Sequence, residues 1–241
     1  VYEPDLDDHS AEQLALVGQL RDAIAGDELE VHYQTIFDMR HDCVAGVEAL
    51  VRWRHPERGL VMPADFLPAV ERTGLIRSLT RWVLRAGLHQ LAVWHASGCP
   101  WSLAVNISPK SLTDPLLLND VRDLLAEAGV PAEALVLEVT ENSFVSDPVR
   151  SAAALQALRD LGVTVSIDDF GTGYSSLAYL RNLPINEVKV DRSFVSGIMT
   201  SGADLAIVES MITLAHSLGF KVVAEGIEDA ATLKQLRDLG C

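Results

Sequence analysis

The sequence predicts an α/β fold built on a mainly parallel sheet, and three observations carry that reading. From Trp101 onward, short β-branched runs alternate with stretches of helical apolar spacing. The strands are apolar on both faces, as expected where helices cover the outside and side chains fill the inside. The length of 241 residues suits one barrel or one large α/β domain.

Taken in order, Val1 to His9 is polar and acidic, has no apolar period, and reads as a linker. Ser10 suits the N-cap of a helix from about Ala11 to Ala25, ended by Gly26. Leu14, Leu16, Val17, Leu20 and Ile24 give that helix an apolar stripe. Strands follow at Leu29–Asp38 and Val44–Arg54. The connection Met39-Arg40-His41-Asp42 suits an antiparallel hairpin and is too short for a helical crossover. After Pro56, helical spacing covers Ala64–Glu71 and Ile76–Ala96, with Trp82 and Trp94 assigned to the core. Further strands fit Ser102–Ile107, Leu135–Val139, Val163–Ile167, Glu187–Val190 and Lys221–Ala224. Helices fit Leu116–Glu127, Val149–Leu161, Ser175–Leu180, Ala203–Leu218 and Ala230–Leu239. Such repeats imply right-handed crossovers. The count is seven strands, the first antiparallel to its neighbour. Either the sheet is open, or a closing strand lies beyond Cys241.

Composition narrows the function. A hydrophobic content of 49% and a mean hydropathy of +0.19 are ample for a core. No apolar run approaches the ~20 residues of a membrane span, and no signal peptide opens the chain. Cys43, Cys99 and Cys241 form no CxxC pair, which argues against a disulfide framework and a zinc knuckle. A cytoplasmic domain is expected, which a missing region of a longer protein could attach to a membrane. The net charge of −15 opposes binding to a DNA or RNA duplex. A phosphate-bearing substrate would need metal ions to neutralise that field.

The polar residues at the strand ends specify the chemistry. They are Glu48, Asn106, Glu138 with Glu141, Asp168 with Asp169, Lys189 with Asp191, and Glu225 with Glu228. A carboxylate such as Glu48 inside an apolar strand is expensive to bury unless it is paired or binds a metal. Asp168 and Asp169 close a strand and precede the glycines Gly171 and Gly173. Neighbours on a strand face opposite ways, but at an end twisting into a loop they can reach points a few ångströms apart. Converging on one face, these groups make an oxygen-rich site around one lysine. Oxygen ligation selects Mg²⁺ or Mn²⁺ over zinc, and two such ions are the usual apparatus for cleaving a phosphodiester.

At these residues the sequence resembles the EAL domain family, bacterial phosphodiesterases acting on cyclic di-GMP. The motifs are Glu48-Ala49-Leu50-Val51-Arg52, Asn106-Ile107-Ser108-Pro109, Glu138-Val139-Thr140-Glu141, Asp168-Asp169-Phe170-Gly171-Thr172-Gly173-Tyr174-Ser175-Ser176, Lys189-Val190-Asp191 and Ala224-Glu225-Gly226-Ile227-Glu228. The resemblance covers roughly Leu29 to Cys241. It implies a modified TIM-type (β/α)8 barrel with an antiparallel first strand, and hydrolysis of cyclic di-GMP to linear 5'-pGpG. By position, Glu48, Asn106, Glu138 and Asp168 correspond to the ligands of one Mg²⁺ or Mn²⁺, and Asp168, Asp169 and Glu225 to those of a second. Ca²⁺ is expected to inhibit. Lys189 corresponds to the group holding the attacking water; Gln34, Arg52 and Asp191 fall on the substrate side. Glu141 corresponds to an anchor for the loop after Asp169, which couples metal binding to dimerisation in relatives, so a homodimer is expected. Residues 1–26 resemble the connector between a GGDEF cyclase and an EAL domain at 27–241, so an upstream GGDEF or sensory domain is expected.

Departures from the family pattern are Thr35, Asn142 and Asn186, none at a ligand position, and no Gln-Gly segment follows near the C-terminus. The Asp-Phe-Gly tripeptide lacks the other kinase motifs, and Gly171-x-Gly173 lacks the third glycine of a dinucleotide fingerprint. Acids around Lys189 would keep it protonated and unfit for Schiff-base chemistry. The alternative to an enzyme is a non-catalytic cyclic di-GMP receptor or interaction module.

Overall fold

The computed structural model describes residues 16–26, 28–144, 147–172 and 180–241, with residue 142 described by its backbone. The linker at 1–9, the Ser10 cap, the Asn142 side chain and most of the 175–180 helix lie outside the described residues. A first helix, α1, covers residues 16–25. Then come β1 (Leu29–Asp38), β2 (Cys43–His55), β3 (Gly59–Val61), α2 (Pro63–Glu71) and α3 (Leu75–Ala96). β4 (Ser102–Asn106) leads into α4 (Pro109–Leu112) and α5 (Leu117–Ala128), and β5 (Leu135–Thr140) into α6 (Pro148–Asp160). β6 (Thr164–Phe170) and β7 (Glu187–Val190) precede α7 (Arg192–Val195) and α8 (Gly202–Ser217); β8 (Lys221–Ala224) precedes α9 (Ala230–Asp238).

All strands join one sheet in the order β1-β2-β4-β5-β6-β7-β8, with β3 on β2. β1 and β2 pair antiparallel, and every ladder from β2 through β4 to β8 is parallel. The expected antiparallel hairpin is therefore present, in a modified TIM-type barrel. Among the described residues no ladder joins β8 to β1, so the curled sheet stays open at that seam.

Helix α3 shows why the outer layer forms. Its Leu84, Leu88 and Leu91 recur at helical spacing and are fully buried. Gly87 lets it approach β4, because a Cβ there would come within 2.8 Å of Leu103 Cδ2. Truncating Leu84 or Leu88 to Ala would cost about 2–5 kcal/mol. Helix α1 shares this core: Leu20 and Ala23 are buried in one apolar cluster with Trp53 and Phe66. Its Gln19 Oε1 lies 3.2 Å from His55 Nε2.

The seven long strands lie where the alternation predicts. The three-residue β3 and the one-turn helices α4 and α7 go unpredicted, because such pieces are too short to show a period. Glu48 lies inside β2, as the span Val44–Arg54 predicts, and at the C-terminal end of the parallel ladder, because β2 pairs with β4 over Gly46–Ala49 and then continues outward to carry β3 on Trp53–His55.

Candidate active site

A continuing strand would turn Asp169 away from Asp168. Instead the β6–β7 register shifts between Ile167 and Phe170, and Asp169 adopts φ 54°. Aspartate is one of the few residues with a Cβ that enters this left-handed region readily. The irregularity brings both carboxylates to one side, where donor oxygens of Asp168, Asp169 and Glu225 lie within 4.8 Å of one another. Glu225 is set by the end of β8, where its N–H donates to the Val190 carbonyl at 3.1 Å. The next residue must be small: a Cβ on Gly226 would approach Arg192 Cβ to 2.6 Å.

Lys189 stands at the centre. Its Nζ lies 2.6 Å from Glu225 Oε1, 3.0 Å from Glu138 Oε1, 3.2 Å from Asp168 Oδ1 and 3.3 Å from Glu48 Oε2. Only 3% of its side chain is exposed. Asn106 donates through Nδ2 to Glu48 Oε1 at 2.8 Å, which fixes the amide beside that carboxylate. The chain turns immediately afterwards into α4, where Ser108 Oγ accepts the Ser111 N–H at 3.1 Å. Gln34 sits opposite Glu48 in the β1–β2 register.

The electrostatics follow from one ammonium serving several buried acids. Burial alone would lower the Lys189 pKa, but Glu138, Asp168, Glu48 and Glu225 more than reverse this and hold the ammonium protonated. Burial pushes the Glu138 carboxyl well above the usual carboxylate range; Lys189 draws it back, and Glu48 and Asp168 push it further up. Glu225 is raised chiefly by burial, against Lys189, and Asp169 by burial and then Asp168. Glu138 Oε2 and Asp168 Oδ1 are buried and accept no hydrogen bond among the described residues. For Asp168 Oδ1 the contact with Lys189 is one of charge without hydrogen-bond geometry. Uncompensated, oxygen-only donors at close range fit hard divalent cations.

The family model of the EAL domain matches residues 17–241. The chain belongs to the EAL domain family. It is 40% identical, over its whole length, to 35% of the bifunctional diguanylate cyclase/cyclic di-GMP phosphodiesterase MucR of Pseudomonas aeruginosa. It is 43% identical over 96% of its length to 30% of the cyclic di-GMP phosphodiesterase NbdA of the same organism. The chain thus spans about a third of the length of these curated relatives. A PaMucR phosphodiesterase solved as a c-di-GMP complex superposes with a TM-score of 0.88 at 41% identity, over 94% of this chain and 92% of that one. The EAL enzyme Bd1971, in its cAMP- and cyclic-di-GMP-bound form, gives 0.90 at 33% identity, over 97% and 64%.

The remaining predicted residues of this EAL domain lie around the acid cluster. Glu141 is buried in a short turn after β5, and its Oε2 accepts the Gly171 N–H at 3.3 Å, just past Asp169. Arg52 lies further along β2 and donates to the Val51 carbonyl at 2.8 Å. Asp191 caps α7: Oδ1 accepts the Ser193 N–H at 3.0 Å and also the Ser193 hydroxyl, which lowers its pKa. Glu228 is exposed beyond β8. Sequence reasoning missed a hydrogen-bonded row beside the site, in which Glu30 joins His32 to Arg54. Counting in twos from Gln34 and Arg52 would have found it.

Proposed function

We propose that this EAL domain hydrolyses one phosphodiester of cyclic di-GMP, giving linear 5'-pGpG. The observation carrying the reading is the convergence of Glu48, Glu138, Asp168 and Glu225 on Lys189, with Asp169 beside them. MucR and NbdA, by name phosphodiesterases of this dinucleotide, support the substrate. Glu48, Asn106, Glu138 and Asp168 would hold one Mg²⁺ or Mn²⁺, and Asp168, Asp169 and Glu225 a second. When bound, such ions neutralise phosphate charge and acidify a water.

The chain's own groups do the rest. Lys189, held protonated, is a poor base; it donates hydrogen bonds that orient the attacking water. Asn106 keeps Glu48 turned toward the cluster. Arg52 and Gln34 contact substrate along β1 and β2, with Asp191 at the edge. Glu141 steadies the loop after Asp169 through the Gly171 N–H. We also read residues 1–26 as a connector to an upstream GGDEF or sensory domain, and the domain as a cytoplasmic homodimer. The pairing of two activities in the name MucR supports the fusion. Among the described residues no helix is long and apolar enough to cross a membrane.

The deciding experiment incubates purified protein with cyclic di-GMP and Mg²⁺ or Mn²⁺ and resolves the products by chromatography. Linear dinucleotide, abolished by chelator, is expected. Undiminished hydrolysis in excess chelator would refute the metal requirement. Binding without cleavage under either metal would replace the enzyme reading with a receptor.

A further inference from the structure

The inner face of the β1–β2 ribbon continues past the acid cluster, and its next level carries side chains that the reaction as read above does not use. Directly opposed residues of an antiparallel pair share a face, and every second residue returns to it. The register Gln34↔Glu48, His32↔Leu50 and Glu30↔Arg52 therefore stacks three levels on the face holding Glu48. His32 stands about 7 Å along the strand from the Gln34–Glu48 level, in the direction of Arg52. Its ring is clasped. Nε2 lies 2.8 Å from Glu30 Oε1, and Arg54 grips the other carboxylate oxygen through Nη2 at 2.6 Å and Nε at 3.2 Å. The His32 side chain keeps 49% of its surface in solvent.

An ionised carboxylate only accepts hydrogen bonds, so Nε2 carries the proton shared with Glu30. In the neutral ring Nδ1 is then an acceptor. An acceptor within a nucleoside's reach of the phosphate-handling acids distinguishes purines. Guanine offers two adjacent donors, N1–H and an exocyclic amine, on one edge, whereas adenine has a single amine donor there beside an unprotonated N1 that repels an acceptor.

We propose that His32 is a specificity-determining residue of the dinucleotide cleft, presenting Nδ1 to a guanine base while Glu30 and Arg54 fix the ring's tautomer and position. The inference rests on the phosphodiesterase reading above. The test compares wild type with His32→Ala, His32→Gln and Glu30→Gln. It measures KM and kcat for cyclic di-GMP and cyclic di-AMP, Mg²⁺ affinity by calorimetry, and folding by circular dichroism. His32→Ala is expected to raise KM for cyclic di-GMP about tenfold, the equivalent of one hydrogen bond, and to shrink the preference for guanine over adenine. Mg²⁺ affinity should stay within about two-fold, which separates loss of a base contact from damage to the acid cluster. His32→Gln, whose amide oxygen accepts, should recover part of the preference, and Glu30→Gln should fall between. A wild type that cleaves while His32→Ala keeps KM and preference within about two-fold overturns the His32 assignment alone. A wild type that neither binds nor cleaves either dinucleotide overturns the phosphodiesterase reading and this inference with it.

Discussion

Lys189 and Asp120 are each one charge surrounded by the opposite sign, and they behave differently. Asp120, its side chain 9% exposed, receives Arg77 Nε at 3.0 Å and also Arg81, while Asp114 lies 3.7 Å from Arg77. Two cations meet two anions, and the arginines stay 43% and 36% exposed. That cluster ties α3 to α5 and its charges cancel. Around Lys189 four carboxylates face one ammonium, and a fifth, Asp169, lies beside them. The lysine cannot serve them all, so Glu138 Oε2 is left without a hydrogen bond among the described residues. The contrast separates a cluster with excess charge, the physical mark of a candidate site, from one whose charges balance as a clamp.

The largest expected effect tests the lysine. Lys189→Ala should lower kcat/KM by ~2–4 kcal/mol of transition-state stabilisation while retaining cyclic di-GMP binding. Asp120→Asn should leave kcat/KM unchanged; an equal loss there would erase the distinction. Next comes cation linkage. Mg²⁺ at ~100 times its Kd should stabilise the wild type by about 2.7 kcal/mol in urea titrations. Asp168→Asn should forfeit most of that gain, and Asp120→Asn should keep it. Calcium should stabilise too but support little turnover, because its looser shell places the water poorly; a calcium form as fast as the magnesium form would contradict this.

Glu141→Ala should lower activity about tenfold with the fold retained, because it removes orientation from the loop at Gly171. Wild-type activity together with wild-type cation affinity would exclude the anchoring role. For the balanced cluster, Asp120→Asn should lose about 1–2 kcal/mol of stability, a modest figure because solvent screens the half-exposed arginines. The smallest effect concerns Asp38 at the exposed β1–β2 turn. The His41 side chain, then the Arg40 and His41 N–H groups, hold its carboxyl down to about 2. A depressed carboxylate contributes stability that is complete above the unfolded value near ~3.9 and is lost as pH falls toward the folded one. Between those values the wild type should lose slightly more stability than Asp38→Asn; parallel curves would show the turn contributes nothing.

Much of this was legible in the chain, for a physical reason. The acids, Asn106 and Lys189 sit at breaks in apolar periodicity, and burying such groups demands partners. The convergence of Asp168 with Asp169 was only half legible, since it depends on a backbone angle that no hydrophobic pattern records. Glu48 is legible as a carboxylate inside Val44–Arg54, but nothing in that stretch signals that β2 outruns the barrel to support β3. Alternation from Gln34 and Arg52 puts His32, Glu30 and Arg54 on the site's face, but which of them touch depends on the cross-strand register.

The left-handed Asp169 also governs how mutational data on this site should be read. Asparagine enters that backbone region at least as easily as aspartate, so Asp169→Asn alters charge at almost constant shape. Alanine there carries a backbone penalty of roughly 1–2 kcal/mol in addition to the lost carboxylate. An alanine scan would therefore overstate the electrostatic worth of Asp169 relative to Asp168, whose conformation is ordinary. Isosteric amides are the fair yardstick for ranking the two.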